Sequence, residues 1–113
     1  MRWMLLSALM LAACSNGPEA DLEYIKAARS AAAEWALVNE QASQGKLTST
    51  YASSMHKWLR EEIRSSASSL KQPTSPYGDE IGALLQQPDN APPQELRARA
   101  AELKKIEDSL ESA

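Results

Sequence analysis

Apolar side chains recur at helical spacing in four separate segments of this chain. From about Glu19 to Gln44 they alternate in steps of four and three residues, as Tyr24, Ala28, Ala31, Trp35, Val38 and Ala42. That spacing predicts an amphipathic helix, and Gly45 is a suitable stop because glycine readily adopts the left-handed conformation at helix ends. Half of this stripe is alanine, so either a neighbouring helix approaches closely or a groove remains beside it.

A second helix is predicted to run from a cap at Thr48 or Ser49 to about Leu70. Its apolar face is expected to comprise Tyr51, Ala52, Met55, Trp58, Leu59, Ile63 and Leu70. The connection to the first helix is short, which favours an antiparallel pair. Folding about that turn brings Trp35 level with Trp58. We therefore expect the two indoles to contact each other or a shared neighbour at the centre of the core.

Two further helices are predicted in the C-terminal part of the chain. Ser75-Pro76 supplies a cap and a first-turn proline for a short helix to about Gln86, and Pro93 begins a last helix to about Leu110. Their inward-facing residues are expected to be Tyr77, Ile81, Leu84 and Leu85, and then Leu96, Ala100, Leu103, Ile106 and Leu110. The sequence contains no alternating strand pattern and no internal repeat. These observations predict an all-α fold, a small bundle of three long helices plus one short helix.

The N-terminal residues follow a different pattern. Arg2 is followed by an apolar run from Trp3 to Leu11 and then by Ala12-Ala13-Cys14. The run is shorter than the roughly 20 residues that a transmembrane helix needs, which is typical of a signal peptide. Leu11-Ala12-Ala13-Cys14 resembles the lipobox of bacterial lipoproteins. The resemblance covers only these first residues.

The resemblance implies that residues 1–13 are a lipoprotein signal peptide and that Cys14 becomes the lipidated N-terminus. In that family the matching cysteine carries a diacylglyceryl group on sulfur and often a further acyl chain on nitrogen, and several chains give a stable membrane anchor. The implied domain organisation is a lipidated tether over 14–20 and a helical-bundle domain over 21–113. In Gram-negative bacteria of the enteric type, Ser15 in place of aspartate suggests a lipid-anchored envelope protein at the outer membrane, facing the periplasm. The alternative is a free, buried Cys14 after an ordinary signal.

Composition and charge limit the functional classes. The formal net charge is −3, and loss of Arg2 with the signal would make it −4. Acidic and basic residues are interspersed, so the chain lacks the basic stripe of a nucleic-acid-binding protein and the polybasic patch of a lipid-binding one. With one cysteine, no internal disulfide can form. The membrane is therefore expected to be reached only through the acyl chains.

The sequence offers little for catalysis. His56 is the only histidine and Cys14 the only cysteine, so a histidine–cysteine metal site is not expected. There is no nucleophile elbow and no glycine-rich phosphate loop. We expect His56 to be a hydrogen-bonded residue at the edge of the second helix's apolar face. No catalytic residue, metal or cofactor is predicted.

Four polar residues fall within the apolar arcs of their helices: Asn39, Glu62, Arg99 and Glu107. Buried charges need partners, so one hypothesis is that Glu62 and Arg99 pair across the interior and set helix register. A second is that these residues line a groove beside the alanine-rich helix, which a partner's helix completes. The third is that small rotations place all four at solvated edges.

By elimination, the sequence favours a non-catalytic protein-interaction or adaptor module anchored in the bacterial envelope, with a protein partner that it does not identify. The alternative is a carrier that holds a small apolar ligand in a cavity of the bundle. A large closed apolar pocket would favour the carrier, whereas an elongated open groove would favour the protein partner. An enzyme is the least favoured class.

Overall fold

The computed structural model describes residues 17–112, which form helices joined by short connections and contain no strand. A short 3-10 helix, Pro18–Asp21, precedes four α-helices. The α-helices are α1 (Leu22–Ser43), α2 (Ser49–Ser69), α3 (Pro76–Leu85) and α4 (Pro93–Glu111). The predicted all-α class is therefore confirmed. The predicted signal peptide and Cys14 lie outside the described residues, whereas the 3-10 helix begins within the segment assigned to the tether.

The end of α1 is set by Gly45, as its sequence position predicted. Gly45 has a φ of 71°, and its N–H donates to the carbonyl of Ala42, while the N–H of Lys46 donates to the carbonyl of Gln41. This pair of hydrogen bonds is a Schellman motif, which satisfies carbonyls that the helix end would otherwise leave free. The glycine is needed because a side chain would be strained at this φ.

Side-chain caps begin α2 and α3. The Thr48 hydroxyl accepts the N–H of Tyr51 at 3.1 Å, and the Ser75 hydroxyl accepts the N–H of Gly78 at 3.1 Å. Each cap satisfies one of the unpaired N–H groups at a helix start. Both caps and both helix starts were predicted from the sequence.

The core forms around α1, which lies between α2 and α4, while α3 packs against both α2 and α4. Ala28, Ala32 and Ala36 are completely buried, so the neighbouring helices approach α1 closely along its small side chains. The largest fully buried apolar side chains come from all four helices: Ile25, Trp35, Leu59, Ile63, Ile81, Leu84, Leu96 and Leu103. Close approach of the neighbouring helices therefore accounts for these three buried alanines.

The two tryptophans lie in different environments, and the prediction that Trp58 shares the core with Trp35 is wrong. Trp35 is fully buried, whereas Trp58 is 53% exposed. The buried positions of α2 recur as Ala52, Leu59, Ile63 and Ser66. Because Trp58 precedes Leu59 by one residue, it projects about 100° away from that line. The expected apolar face was too wide, and it also misplaced Tyr51, which is 52% exposed.

Candidate interaction site

Asn39 and His56, from neighbouring helices, meet beneath the loop between α3 and α4. Asn39 Nδ2 donates to the carbonyls of Asp89 at 2.9 Å and Ala91 at 2.8 Å. These bonds use both amide hydrogens, so Asn39 Oδ1 is the acceptor for His56 Nε2 at 2.7 Å. The proton of this bond is therefore assigned to His56 Nε2. Asn39 is an interior residue, and His56 is a half-buried boundary residue, as expected.

Trp35 and Arg60 complete the attachment of the same loop. Trp35 Nε1 donates to the Asp89 carbonyl at 2.9 Å, and Arg60 Nε lies 2.6 Å from Asp89 Oδ1. Arg60 also donates to the carbonyls of Leu85 and Gln87, and its guanidinium carbon lies 4.7 Å from the centroid of the Trp35 ring. The loop carbonyls thus find donors from α1 and α2, which closes one end of the bundle.

Asp21 fastens the opposite connection, between α2 and α3. Its buried carboxylate accepts the N–H groups of Lys71 at 2.7 Å and Gln72 at 3.0 Å and the Tyr77 hydroxyl at 2.6 Å. Burial acts to raise the pKa of Asp21, but these hydrogen bonds outweigh it and hold the pKa below its ordinary value. Burial and the bond to Asp21 raise the pKa of Tyr77 to about 12. Asp21 was not singled out from the sequence because its partners lie far along the chain.

Ion pairs join α1 to α4. Arg29 Nε lies 2.6 Å from Glu107 Oε1, Lys26 lies 3.7 Å from Glu111, and Arg97 pairs with Glu40. The Glu107 side chain is only 4% exposed. Burial acts to raise the pKa of Glu107, but Arg29 outweighs it and lowers that pKa overall. Glu107 is therefore the buried charge, among the four polar residues identified in the sequence, that finds an interhelical partner.

The interior pair predicted between Glu62 and Arg99 does not form. Arg99 Nη1 lies 3.1 Å from the carboxylate of Glu80 on α3, and Arg99 Nη2 lies 3.4 Å from Glu95. Glu62 is exposed on α2. Like Trp58, it projects away from the Leu59–Ile63 line. Arg99 is thus an edge residue between α3 and α4, and Glu62 belongs to a different surface.

That surface is a groove along the outer side of the first two helices. Its upper part, of about 190 Å³, lies towards the α1–α2 connection, and its lower part, of about 240 Å³, lies towards the start of α1. The two parts share Glu34 and are lined by residues of both helices and by Leu47 of the connection. The α1 positions are Ala27, Ser30, Ala31, Glu34, Leu37, Val38 and Gln41, and the others are Leu47, Tyr51, Met55, Trp58 and Glu62. We call this surface the α1–α2 groove.

The α1–α2 groove gathers the exposed large apolar side chains of the described chain. Leu37, Tyr51 and Trp58 are each about half exposed, and all three line it. Single exposed apolar residues are ordinary, but a contiguous set of them marks an interaction surface. The sequence signal that could have revealed this surface is the pair Tyr51 and Trp58, which are seven residues apart and both displaced from the buried line of α2.

The charged side chains that line the α1–α2 groove are both acidic. Glu34 and Glu62 are exposed, and neither has an ion-pair partner within residues 17–112. Other carboxylates have cationic partners: Glu107 pairs with Arg29, Glu80 with Arg99, and Asp89 of the α3–α4 loop with Arg60. The groove therefore combines apolar area with uncompensated negative charge.

Other features of the described residues offer less for binding or catalysis. One carboxylate cluster in the described residues, Glu107 with Asp108 and Glu111, could suggest a metal, but its members already contact Arg29, Lys104 and Lys26. His56 is engaged with Asn39, and the hydrogen bonds of residues 17–112 include none between His56 and a serine or threonine hydroxyl. The grooves on this part of the chain are open to solvent rather than enclosed.

Within residues 17–112, no helix combines the length and apolar character needed to cross a bilayer. Comparison of the chain with models of protein families, with curated proteins and with solved structures gave no match.

Proposed function

We propose that this protein is a lipid-anchored bacterial envelope protein that binds another protein through the α1–α2 groove and performs no catalysis. The observation that carries the proposal is the convergence of Leu37, Tyr51 and Trp58 on one open groove. Aromatic side chains of this kind are frequent binding hot spots because they bury a large area with few rotatable bonds. A stable helical scaffold holds them in place.

The shape of the groove favours a protein partner over a small apolar ligand. A carrier needs a concave site that encloses most of its ligand. Both parts of the α1–α2 groove are open, and together they extend over four turns of α1. An elongated open surface of this kind suits a segment of another polypeptide.

The membrane anchor in this proposal rests on the lipobox resemblance. Four residue steps separate Cys14 from Pro18, where the 3-10 helix begins, and an extended chain spans at most about 14 Å over that distance. Acyl chains on Cys14 would therefore hold the helices close to the bilayer. In a Gram-negative bacterium, this bilayer would be the outer membrane, and the helices would face the periplasm. The partner would be a protein within reach of that surface.

The anchor is tested by replacing Cys14. We expect the native protein to partition with membranes and to have the mass of residues 14–113 plus acyl groups, and Cys14→Ser to lose both properties. Mass spectrometry that found residues 1–13 still attached to an unmodified thiol would contradict the anchor.

The binding function is tested by photo-crosslinking in the host bacterium. A photoreactive amino acid at Trp58 should give a discrete crosslinked protein, because this side chain lies on the groove. The same amino acid at Ala101, an exposed position on α4, is the matched control. Equal crosslinking from both positions, or none from Trp58, would contradict the proposed binding surface.

A further inference from the structure

We infer that the partner segment held in the α1–α2 groove is an amphipathic α-helix whose apolar face is flanked by lysine or arginine. This inference rests on the proposed binding function and adds the chemistry of the partner. Its basis is the charge of the groove, the nature of its walls, its length and the spacing of its apolar side chains.

Charge complementarity predicts that the partner segment carries positive charge. Glu34 lies where the two parts of the groove join, and Glu62 lies at its lower part beside Trp58. Both carboxylates are exposed and have no cationic partner in the described chain. An occupant without hydrogen-bond donors would remove water from these groups without replacing its hydrogen bonds, and a neutral donor would leave their charge uncompensated. Lysine or arginine at the edge of the occupant's apolar face would supply the missing charge and direct its approach.

The walls of the groove favour a helix over an extended peptide. An added strand gains its affinity from unpaired main-chain groups at a sheet edge. Here both walls are α-helices, whose main-chain groups are bonded within the helix. The groove therefore offers only side chains, and a helix satisfies its own main chain while presenting side chains to such a surface.

The dimensions of the groove indicate the length and pattern of that helix. The lining residues of α1 run from Ala27 to Gln41, which is about 21 Å at 1.5 Å per residue, or about four turns. Tyr51 and Trp58 are seven residues apart, which is close to two turns. A partner helix of about 14 residues with apolar side chains at i, i+3, i+4 and i+7 matches both features.

The same charges disfavour two other occupants. A second copy that docked groove to groove would bring its own Glu34 and Glu62 against the first pair, because a two-fold interface places the same patch on both subunits. An anionic lipid surface would be repelled by the carboxylates. Neither occupant compensates the groove's charge.

The test combines crosslinking from Trp58 with charge reversal in the full-length, lipidated protein in its host bacterium. The double variant Glu34→Lys/Glu62→Lys should lower the yield of the crosslinked protein by about tenfold or more, since the partner's cations would then meet like charge. Glu102→Lys makes the same kind of change at an exposed site on α4 and should leave the yield unchanged. Peptide mapping of the crosslinked species should identify a segment with the basic, amphipathic helical pattern.

The other outcomes distinguish a failure of this inference from a failure of the proposed binding function. A crosslinked protein whose yield is unaffected by the double reversal, or whose mapped segment is acidic or lacks helical periodicity, would overturn this inference and leave the binding function standing. Crosslinking to a second copy of this chain would also overturn it. Absence of any protein crosslink from Trp58 would remove the binding function itself. Glu34→Gln/Glu62→Gln, which only neutralises the groove, should lower the yield less than the reversal and serves if the lysine variant fails to accumulate.

Discussion

Helix α1 has a neighbour on each side, and its contacts with the two differ in chemistry. Towards α4, charged side chains pair across the contact, as with Arg29 and Glu107 at 2.6 Å. Towards α2, the interior is apolar apart from the hydrogen bond between Asn39 and His56, and the outer edge opens into the α1–α2 groove with its exposed Leu37, Tyr51 and Trp58. At the α1–α4 contact the charged side chains pair with one another, whereas the α1–α2 contact leaves apolar area and two carboxylates exposed to water.

This difference separates residues that maintain the fold from residues that are available for binding. The buried carboxylate of Glu107 has a partner in Arg29, since an unsatisfied buried group would cost about 1–3 kcal/mol. Leu37, Tyr51 and Trp58 on the α1–α2 groove contribute less to folding because each remains about half exposed to water. Variants of the two sets should therefore affect different measurements, stability for the first and association for the second.

The two tryptophans should show the largest contrast. Trp35→Ala removes a fully buried indole and its bond to the Asp89 carbonyl, and we expect it to lower the free energy of unfolding by about 3–5 kcal/mol. Trp58→Ala removes a half-exposed indole, so its effect should be within about 0.5 kcal/mol. Urea unfolding followed by circular dichroism measures both. Similar losses from the two variants would show that the groove is part of the folding core.

The sequence predicted correctly those features of the fold that depend on residues close together in the chain. Gly45, Thr48 and Ser75 act on main-chain groups within a few residues, so their positions predicted the helix ends correctly. Apolar spacing was sufficient for the number and type of helices. Both kinds of feature depend on residues close in the sequence, which is why they could be recognised without knowledge of the packing.

The width of a buried face depends on where the neighbouring helices lie, and that information is not local. On α2, Trp58 and Glu62 lie close enough to the apolar arc to be assigned to it, yet α1 and α3 cover only the side marked by Leu59 and Ile63. The hypothesis of a groove lined by Asn39, Glu62, Arg99 and Glu107 was therefore correct for Glu62 alone, and the other three residues lie elsewhere. Asp21 was missed because its partners, Lys71 and Tyr77 among them, are 50 and 56 residues away.

Asp21 should produce an intermediate effect that depends on pH. Asp21→Asn removes a charged acceptor of three hydrogen bonds, and we expect a loss of about 1–3 kcal/mol at pH 7. Because the pKa of Asp21 is lower in the folded than in the unfolded state, its stabilisation is present above the unfolded pKa of about 4. It is lost as the pH falls through the folded pKa. The difference between the native protein and the variant should therefore shrink in acid.

Urea unfolding at pH 7, 5 and 3 measures this difference. Glu102→Gln removes a carboxylate from an exposed position on α4 and serves as the control, which should follow the native protein at each pH. A difference for Asp21→Asn that stayed constant down to pH 3 would show that the carboxylate's charge does not fasten the α2–α3 connection.

Breaking the ion pairs between α1 and α4 should cause the smallest losses of unfolding free energy, and the loss should be larger for the buried pair than for the exposed one. Glu107→Gln leaves Arg29 beside a neutral, nearly buried side chain, and we expect a loss of about 1–2 kcal/mol because Arg29 remains partly hydrated. Glu111→Gln breaks the 3.7 Å pair with Lys26, in which both side chains are over 40% exposed, and should cost less than about 0.5 kcal/mol. Unfolding at low and high salt distinguishes them, since salt screens the exposed pair more than the buried one. Equal effects of the two variants would mean that burial does not determine how much these pairs stabilise the contact between α1 and α4.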